Sequence, residues 1–236
     1  MVDERDMSRE MQWFYEERAK AAVSGLQKRH INAQYAPGRR EALAAVMEMI
    51  PDGATVSRGD SVTLEQVGVI DELRRRTQIR FNDPFARNED GFHVLGNEER
   101  RQLQREAFLA DVFLTGTNAV TLDGKLVNID AMGGRVAALI FGPKKVIVVV
   151  GANKIVKDVD EGIERIHQMA APINARRHLL KHHSQYFADL PCVRTGRCAD
   201  CNQEWRLCVN TVIIEGNYAA AKGRINVVLV GEELGI

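Results

Sequence analysis

The sequence carries no net charge: 32 lysines and arginines offset 32 aspartates and glutamates over 236 residues. No block of like charge stands out, which argues against a nucleic-acid partner or an anionic membrane surface. Arg74-Arg75-Arg76 is the densest basic run and reads as a solvated helix end, where cations suit the helix dipole. Long apolar runs are missing as well. The longest, Val136–Phe141 and Val146–Val150, fall far short of a membrane span. Met1–Glu10 is polar and acidic, unlike an export signal. The expectation is a soluble, cytoplasmic protein.

Aromatic residues make up 6% of the chain and cysteines number four. All four cysteines fall between Cys192 and Cys208, which in a cytoplasmic chain reads as metal or redox chemistry, not a disulfide framework. With 45% hydrophobic and 27% charged positions, the composition excludes a disordered or low-complexity chain. No internal repeat is visible. The one plausible boundary lies near Pro172–Pro191, and the segment beyond it reads as an appendix. The organisation expected is a single α/β domain over residues 1–236, with the four-cysteine appendix at 191–208.

What is present is a regular alternation of elements. Met11, Tyr15, Ala19, Ala22 and Leu26 recur at helical spacing and predict an amphipathic opening helix. An extended segment at Ile31–Tyr35 precedes a second helix, which Pro51-Asp52-Gly53 stops. Strands are predicted at Ala54–Ser57, Ile79–Asn82, Val112–Thr115, Val146–Val150, Val209–Ile214 and Ile225–Val230. Helices are predicted through Val69–Arg75, Glu98–Leu109, Gly133–Ile140 and Val159–Gln168. Asp123-Gly124 between Ala119–Leu122 and Lys125–Ile129 signals a hairpin. The fold class is therefore α/β, layered, with a mostly parallel sheet and an embedded β-hairpin.

Chemistry concentrates in Thr115–Arg135, which directly follows a strand, where ligands of open α/β sheets bind. Thr117 and Asn118 would bring hydroxyl and amide groups to that edge. Gly133-Gly134-Arg135 entering a helix suits a carboxylate or phosphate, although a tight turn with a surface arginine fits equally well. It lacks the GxGxxG pattern, and no flavin or NAD fingerprint appears elsewhere. Asp123 and Asp130 bracket the hairpin. Asp123 before glycine suits a turn, so Asp130 is the better acid or base. In the loop Gly59–Glu65, Ser61 can cap a helix, or Ser61 and Thr63 can bind an anion while Glu65 acts as acid, base or nucleophile. Asn153 and Lys154 follow another strand, and Lys154 either holds an anionic substrate there or is simply a solvated lysine.

Cys192, Cys198, Cys201 and Cys208 could form a four-sulfur metal set. An iron–sulfur cluster, a structural zinc, and metal-free reduced or redox-active thiols all remain open. Arg194, Arg197 and Arg206 nearby would favour thiolate. His182-His183 reads as a pair of exposed helix residues, and His30, His93, His167 and His178 show no partner by spacing.

The segment DVFLTGTNAVTLDGKLVNIDAMGGRVAALIFGPKKVIVVVGANKIVKD, Asp111 to Asp158, resembles the LUD family of lactate-utilisation proteins. RGDSVTLEQVG, Arg58 to Gly68, is similar to that family's other signature loop. The resemblance implies a fold like the NagB/RpiA/CoA-transferase superfamily and an association with L-lactate oxidation through an iron–sulfur protein complex. The matching positions are Ser61, Thr63, Glu65, Thr117, Asn118, Asp123, Asp130, Gly133, Gly134, Arg135, Asn153 and Lys154. The chain lacks the ferredoxin-like cysteine repeats of some members and carries TGRCADC instead.

The function expected is a subunit or accessory factor in oxidation of L-lactate or a related organic acid. It would bind a small carboxylate, carry a cysteine-bound redox centre and work with an iron–sulfur oxidoreductase partner. The alternatives are a non-redox enzyme on a CoA ester or sugar phosphate with a structural metal, and a non-catalytic binding module. Trp13, Phe14 and Tyr15 put aromatic surface on more than one side of the opening helix, which suggests a homodimer.

Overall fold

The computed structural model describes residues 4–236. Residues 1–3, the start of the polar stretch read as no export signal, lie outside the described residues. The chain opens with α1 (Ser8–Lys28), whose buried face is Ala19, Ala22, Gly25 and Leu26 at the expected helical spacing. β1 (Asn32–Ala36), α2 (Arg39–Glu48) and β2 (Thr55–Arg58) follow. Ser61 caps α3 (Val62–Val67), its hydroxyl accepting from the Leu64 N–H at 3.4 Å. Gly68, at φ 82°, breaks α3 from α4 (Val69–Arg75). Next come β3 (Arg80–Asn82), α5 (Asn97–Glu106), β4 (Val112–Thr115), β5 (Ala119–Thr121) and β6 (Leu126–Asp130). The rest is α6 (Gly134–Ile140), β7 (Lys145–Gly151), β8 (Ile155–Val156), α7 (Val159–Arg165), α8 (Ala171–Lys181), α9 (Pro191–Thr195), β9 (Asn210–Ile214) and β10 (Ile225–Val230).

Six strands form a parallel sheet in the order β1-β10-β7-β4-β2-β3. Helices cover both faces, so its central strands read as continuous Val and Ile runs. On β7, Val146, Val148 and Val150 face α1, α6 and the second sheet, while Ile147 and Val149 face α2, α3 and α4. Each such side chain contributes about 1.5–3 kcal/mol on burial. The fold class expected from sequence is thus present.

The hairpin is real but lies outside the main sheet. β5 and β6 belong to a second, four-stranded sheet, β8-β5-β6-β9, in which β9 pairs antiparallel with β6. Its turn presses against α1. Gly124 adopts φ 89°, and a Cβ added at Gly25 would sit 2.5 Å from Leu122 O and 2.7 Å from Gly124 N. Only glycine permits that approach.

Pro172 does not open a new segment. A π-helical turn at Ile166–Ala170 joins α7 to α8, and Pro172 takes the first turn of α8, where its missing N–H costs little. The helical path therefore runs from Val159 to Lys181. No helix among the described residues is long and apolar enough to cross a membrane.

Candidate functional site

Because β2, β4 and β7 run parallel, their carboxyl ends deliver three loops to one edge of the sheet. These carry Arg58–Ser61, Gly116–Asn118 and Lys154. Together with the end of β6, α6 and one face of α8 they enclose a cavity of about 320 Å³. Ser61, Thr117, Asn118, Asp130, Gly134, Arg135 and Lys154, all expected from sequence, line it.

Arg100, Arg177 and His178 line the same cavity, as do Arg58 and Asp60. Arg58 is 2% exposed and pairs with Asp83 at 2.7 Å and Glu65 at 2.8 Å. Arg177 grips Asp60 with two hydrogen bonds, at 3.0 and 3.2 Å. Burial alone would raise the Asp60 pKa, but the charge and hydrogen bonds of Arg177 outweigh it and hold the carboxyl well below the usual range. Arg100 donates from Nε to Pro84 O at 3.2 Å and from Nη1 to Asn97 at 3.4 Å. Four arginines and Lys154 against Asp60 and Asp130 make the wall cationic, so it suits an anion.

Arg135 is held by protein groups on several sides. Its guanidinium donates to Gly116 O, Asn128 Oδ1, Asn118 Oδ1 and Ile129 O at 2.7–3.2 Å, and Nε lies 3.4 Å from Asp130 Oδ2. Those bonds occupy every guanidinium nitrogen, so Arg135 clamps the β4–β5 loop to β6 and shapes the cavity. Asp130 Oδ1 in turn accepts from the Gly133 N–H at 2.8 Å, closing the turn in which Gly133 takes φ 87°. Thr117 Oγ is also spent locally, on Ala119 O at 3.0 Å and Asn128 Oδ1 at 3.2 Å.

Lys154 is 5% exposed, and its Nζ donates to Thr63 Oγ1 at 3.2 Å. Burial, with Arg165 and Arg135 nearby, pulls its pKa down to about 7. Asn153 holds the chain near the end of the fold instead, its Oδ1 accepting from the Leu234 N–H at 3.1 Å. Five expected residues, Thr63, Glu65, Asp123, Gly133 and Asn153, do not line the cavity wall. Glu65 is an ion-pair partner of Arg58. Asp123 sits in the hairpin turn, paired with Arg29 at 2.6 Å and accepting from Thr121 Oγ1.

All four cysteines are free and half-buried, and they line a second, smaller cavity of about 40 Å³ with His167. Cys198 Sγ lies 3.4 Å from His167 Nδ1, so that histidine has a partner after all. Thiolate is not favoured at Cys192 and Cys208. Burial first, then the neighbouring thiols, push both pKa values up, and Arg206 offsets little of this at Cys208. Arg194 and Arg197 point to solvent. The two cavities adjoin, sharing Ala171 and Leu207 as walls.

Nothing in the sequence spacing marks the histidines at the end of α8 as part of the site. His182 is half-buried, and its Nδ1 lies 2.9 Å from His178 Nδ1, so only His183 is exposed. Burial above all keeps both pKa values low, with arginines assisting. Asp60, His178 and His182 bring ligand atoms within 4.8 Å of one another, close enough to hold a metal ion. Asp60 is already gripped by Arg177, and Arg87 and Arg100 add positive charge, so the local field favours an anion there.

Comparison with solved structures finds 13 similar chains, two of which illustrate the range. One is a DUF162 family protein from Deinococcus radiodurans, 15% identical, with a TM-score of 0.49 over 93% of this chain and 98% of that one. The other is eIF2B delta from Chaetomium thermophilum, 17% identical, with a TM-score of 0.32 over 64% of this chain and 54% of that one. Comparison with curated protein sequences finds no match. The LUD domain family matches residues 19–230, nearly the whole chain, and points to a lactate-utilisation-related function. The chain belongs to the LUD domain family.

Proposed function

We propose that this protein is a subunit or accessory factor in the oxidation of L-lactate or a related small organic acid. In this reading the cationic cavity holds the acid, and Cys192, Cys198, Cys201 and Cys208 hold an iron–sulfur centre. The observation that carries it is the shared wall, Ala171 and Leu207, between the anion cavity and the four-thiol cavity. The donor set fits such a centre: four free thiols from one short segment around one space. A single tetrahedral zinc would want sulfurs about 3.8 Å apart, from a Zn–S bond of about 2.3 Å. Among the described residues no three thiols come within 4.8 Å of one another.

A bound cluster supplies one-electron transfer. Oxidising a hydroxy acid to a keto acid releases two electrons and two protons, so an iron–sulfur oxidoreductase partner belongs to this reading. The chain's own residues do the binding. Arg100 and Arg177 attract the carboxylate, Arg135 keeps the Gly116–Asn118 loop in place, and the apolar side chains of Phe113, Ile129 and Ile166 limit water.

The test is anaerobic purification followed by an absorption spectrum and analysis for iron and acid-labile sulfide. Iron and sulfide that vanish together in Cys198→Ser and Cys201→Ser support the proposal. Zinc alone, or no metal, turns the reading to a non-redox enzyme on a CoA ester or sugar phosphate. Lys154, buried in the cavity wall with its pKa near 7, is the observation that favours this second reading. Its test is a melting-temperature shift with those ligands, since a ligand bound only by the folded state raises the transition.

A further inference from the structure

Lys154 is the one lysine in the cavity wall, and nothing in the anion-binding role accounts for how it is held. It ends the short 3₁₀ turn after β7, Ala152–Lys154, which points its amine back toward the sheet edge. Its Nζ reaches Thr63 Oγ1 at 3.2 Å, and among the described residues it forms no ion pair. The charges around it are those of Arg165 and Arg135, both positive. Packing closes the other side, where a Cβ at Gly235 would lie 2.6 Å from Nζ.

A buried ammonium without a counter-ion is costly, so such an amine sheds its proton near neutrality and becomes a nucleophile. The same arrangement, a desolvated lysine beside another cation, activates lysines for attack on carbonyl carbon. The amine and the arginines line one cavity, so a carboxylate and an adjacent carbonyl of one small molecule can meet both.

We propose that Lys154 forms an imine with a 2-oxo carboxylic acid bound in the main cavity, an inference that rests on the carboxylate-binding reading above. The neutral Nζ adds to the keto carbon, forming the C–N bond while the carbonyl oxygen takes up a proton. The C–O bond then breaks and water leaves, giving a protonated imine. The balance is one amine, one ketone and one proton in, and one iminium and one water out. No oxidant is needed.

The test treats the full chain with pyruvate and cyanoborohydride and maps the reduced adduct by peptide mass spectrometry. At pH 7 an amine with a pKa near 7 has on the order of 10³ times the neutral fraction of a surface lysine. Label is therefore expected on Lys154 well above all other lysines, rising with pH through about 7, and absent in Lys154→Arg. L-Lactate, which lacks the carbonyl, should block labelling without being trapped. Equal labelling of surface lysines, or no adduct on Lys154 at saturating pyruvate, overturns the proposal. A lactate-induced rise in melting temperature alongside no adduct overturns the imine and leaves the carboxylate cavity standing. No shift with either acid removes the cavity reading as well.

Discussion

Arg135 Nη2 donates to Asn118 Oδ1 at 3.0 Å, and the same oxygen accepts the Ile129 N–H at 3.0 Å. One amide oxygen thus joins the first turn of α6, the β4–β5 loop and β6. The main-chain oxygen of Asn118 is held as well, by Arg165 Nη1 at 2.8 Å. Arg135→Ala should cost about 3–5 kcal/mol, because it strands buried acceptors and the Asp130 carboxylate. Asn118→Ala should cost about 1–3 kcal/mol through the unpaired donors it leaves. Their double mutant should cost less than the sum, with a coupling of about 0.5–3 kcal/mol in a denaturant cycle. Simple additivity would show that the two side chains do not share one clamp.

Lys154 makes stability depend on pH above neutrality. Its amine titrates near 7 in the folded protein and at 10.5 when unperturbed. Between those values the unfolded chain binds the extra proton, so stability rises with pH. Lys154→Met should flatten that rise in urea melts between pH 7 and pH 10, and should stabilise the protein at pH 7. A wild-type curve that is flat over this range would place the amine in a solvated setting.

His178 acts in the opposite part of the range. Burial holds its pKa down to about 4, against 6.5 for a free imidazole. The contribution is fully present above about pH 6.5 and is lost as pH falls toward 4, because the unfolded chain takes up the proton first. The loss is about 3 kcal/mol. His178→Gln should flatten the acid limb in that window. Asp60 titrates below it: its depressed pKa makes its contribution present above the ordinary carboxylate range and lost at still lower pH. Its removal should alter the more acidic part of the curve and also move the histidine limb, because its charge raises the His178 pKa.

The residues legible in the sequence were those whose place follows from local order. Ser61, Thr117, Asn118 and Lys154 each follow a strand of the parallel sheet, which had to gather them at one edge, while Asp130 ends β6 of the second sheet. Arg177 and His178 carried no such signal. They reach Asp60, 117 residues away for Arg177, only because a π-turn lets α8 continue past Pro172 and lie over the cavity. Arg135 was recognised as part of the site, but its partners include backbone carbonyls that only the paired strands bring near. The cysteines' convergence was visible in their spacing. The burial that raises two of their pKa values was not, since Cys192 packs in the cluster with α8 and Cys208 packs against the second sheet.

Trp205 ties the cysteine segment to the turn that carries Tyr186. Its ring stacks on Tyr186 at 4.0 Å between centroids and 16° between planes, yet it is half exposed. A stack of this kind adds about 1 kcal/mol beyond the area it buries. It lies between Cys201 and Cys208, so its loss frees both thiols while leaving the parallel sheet untouched. A bound metal must then order the segment itself, which at about 1 kcal/mol weakens its retention about fivefold. With the metal of the proposed centre loaded, Trp205→Ala should therefore lose it to a chelator several times faster than wild type, with an unchanged midpoint of global unfolding for the metal-free protein. Trp205→Phe, which can still stack, should restore most of the retention. Equal metal loss in all three proteins would mean that the thiols hold their ion without help from the stack.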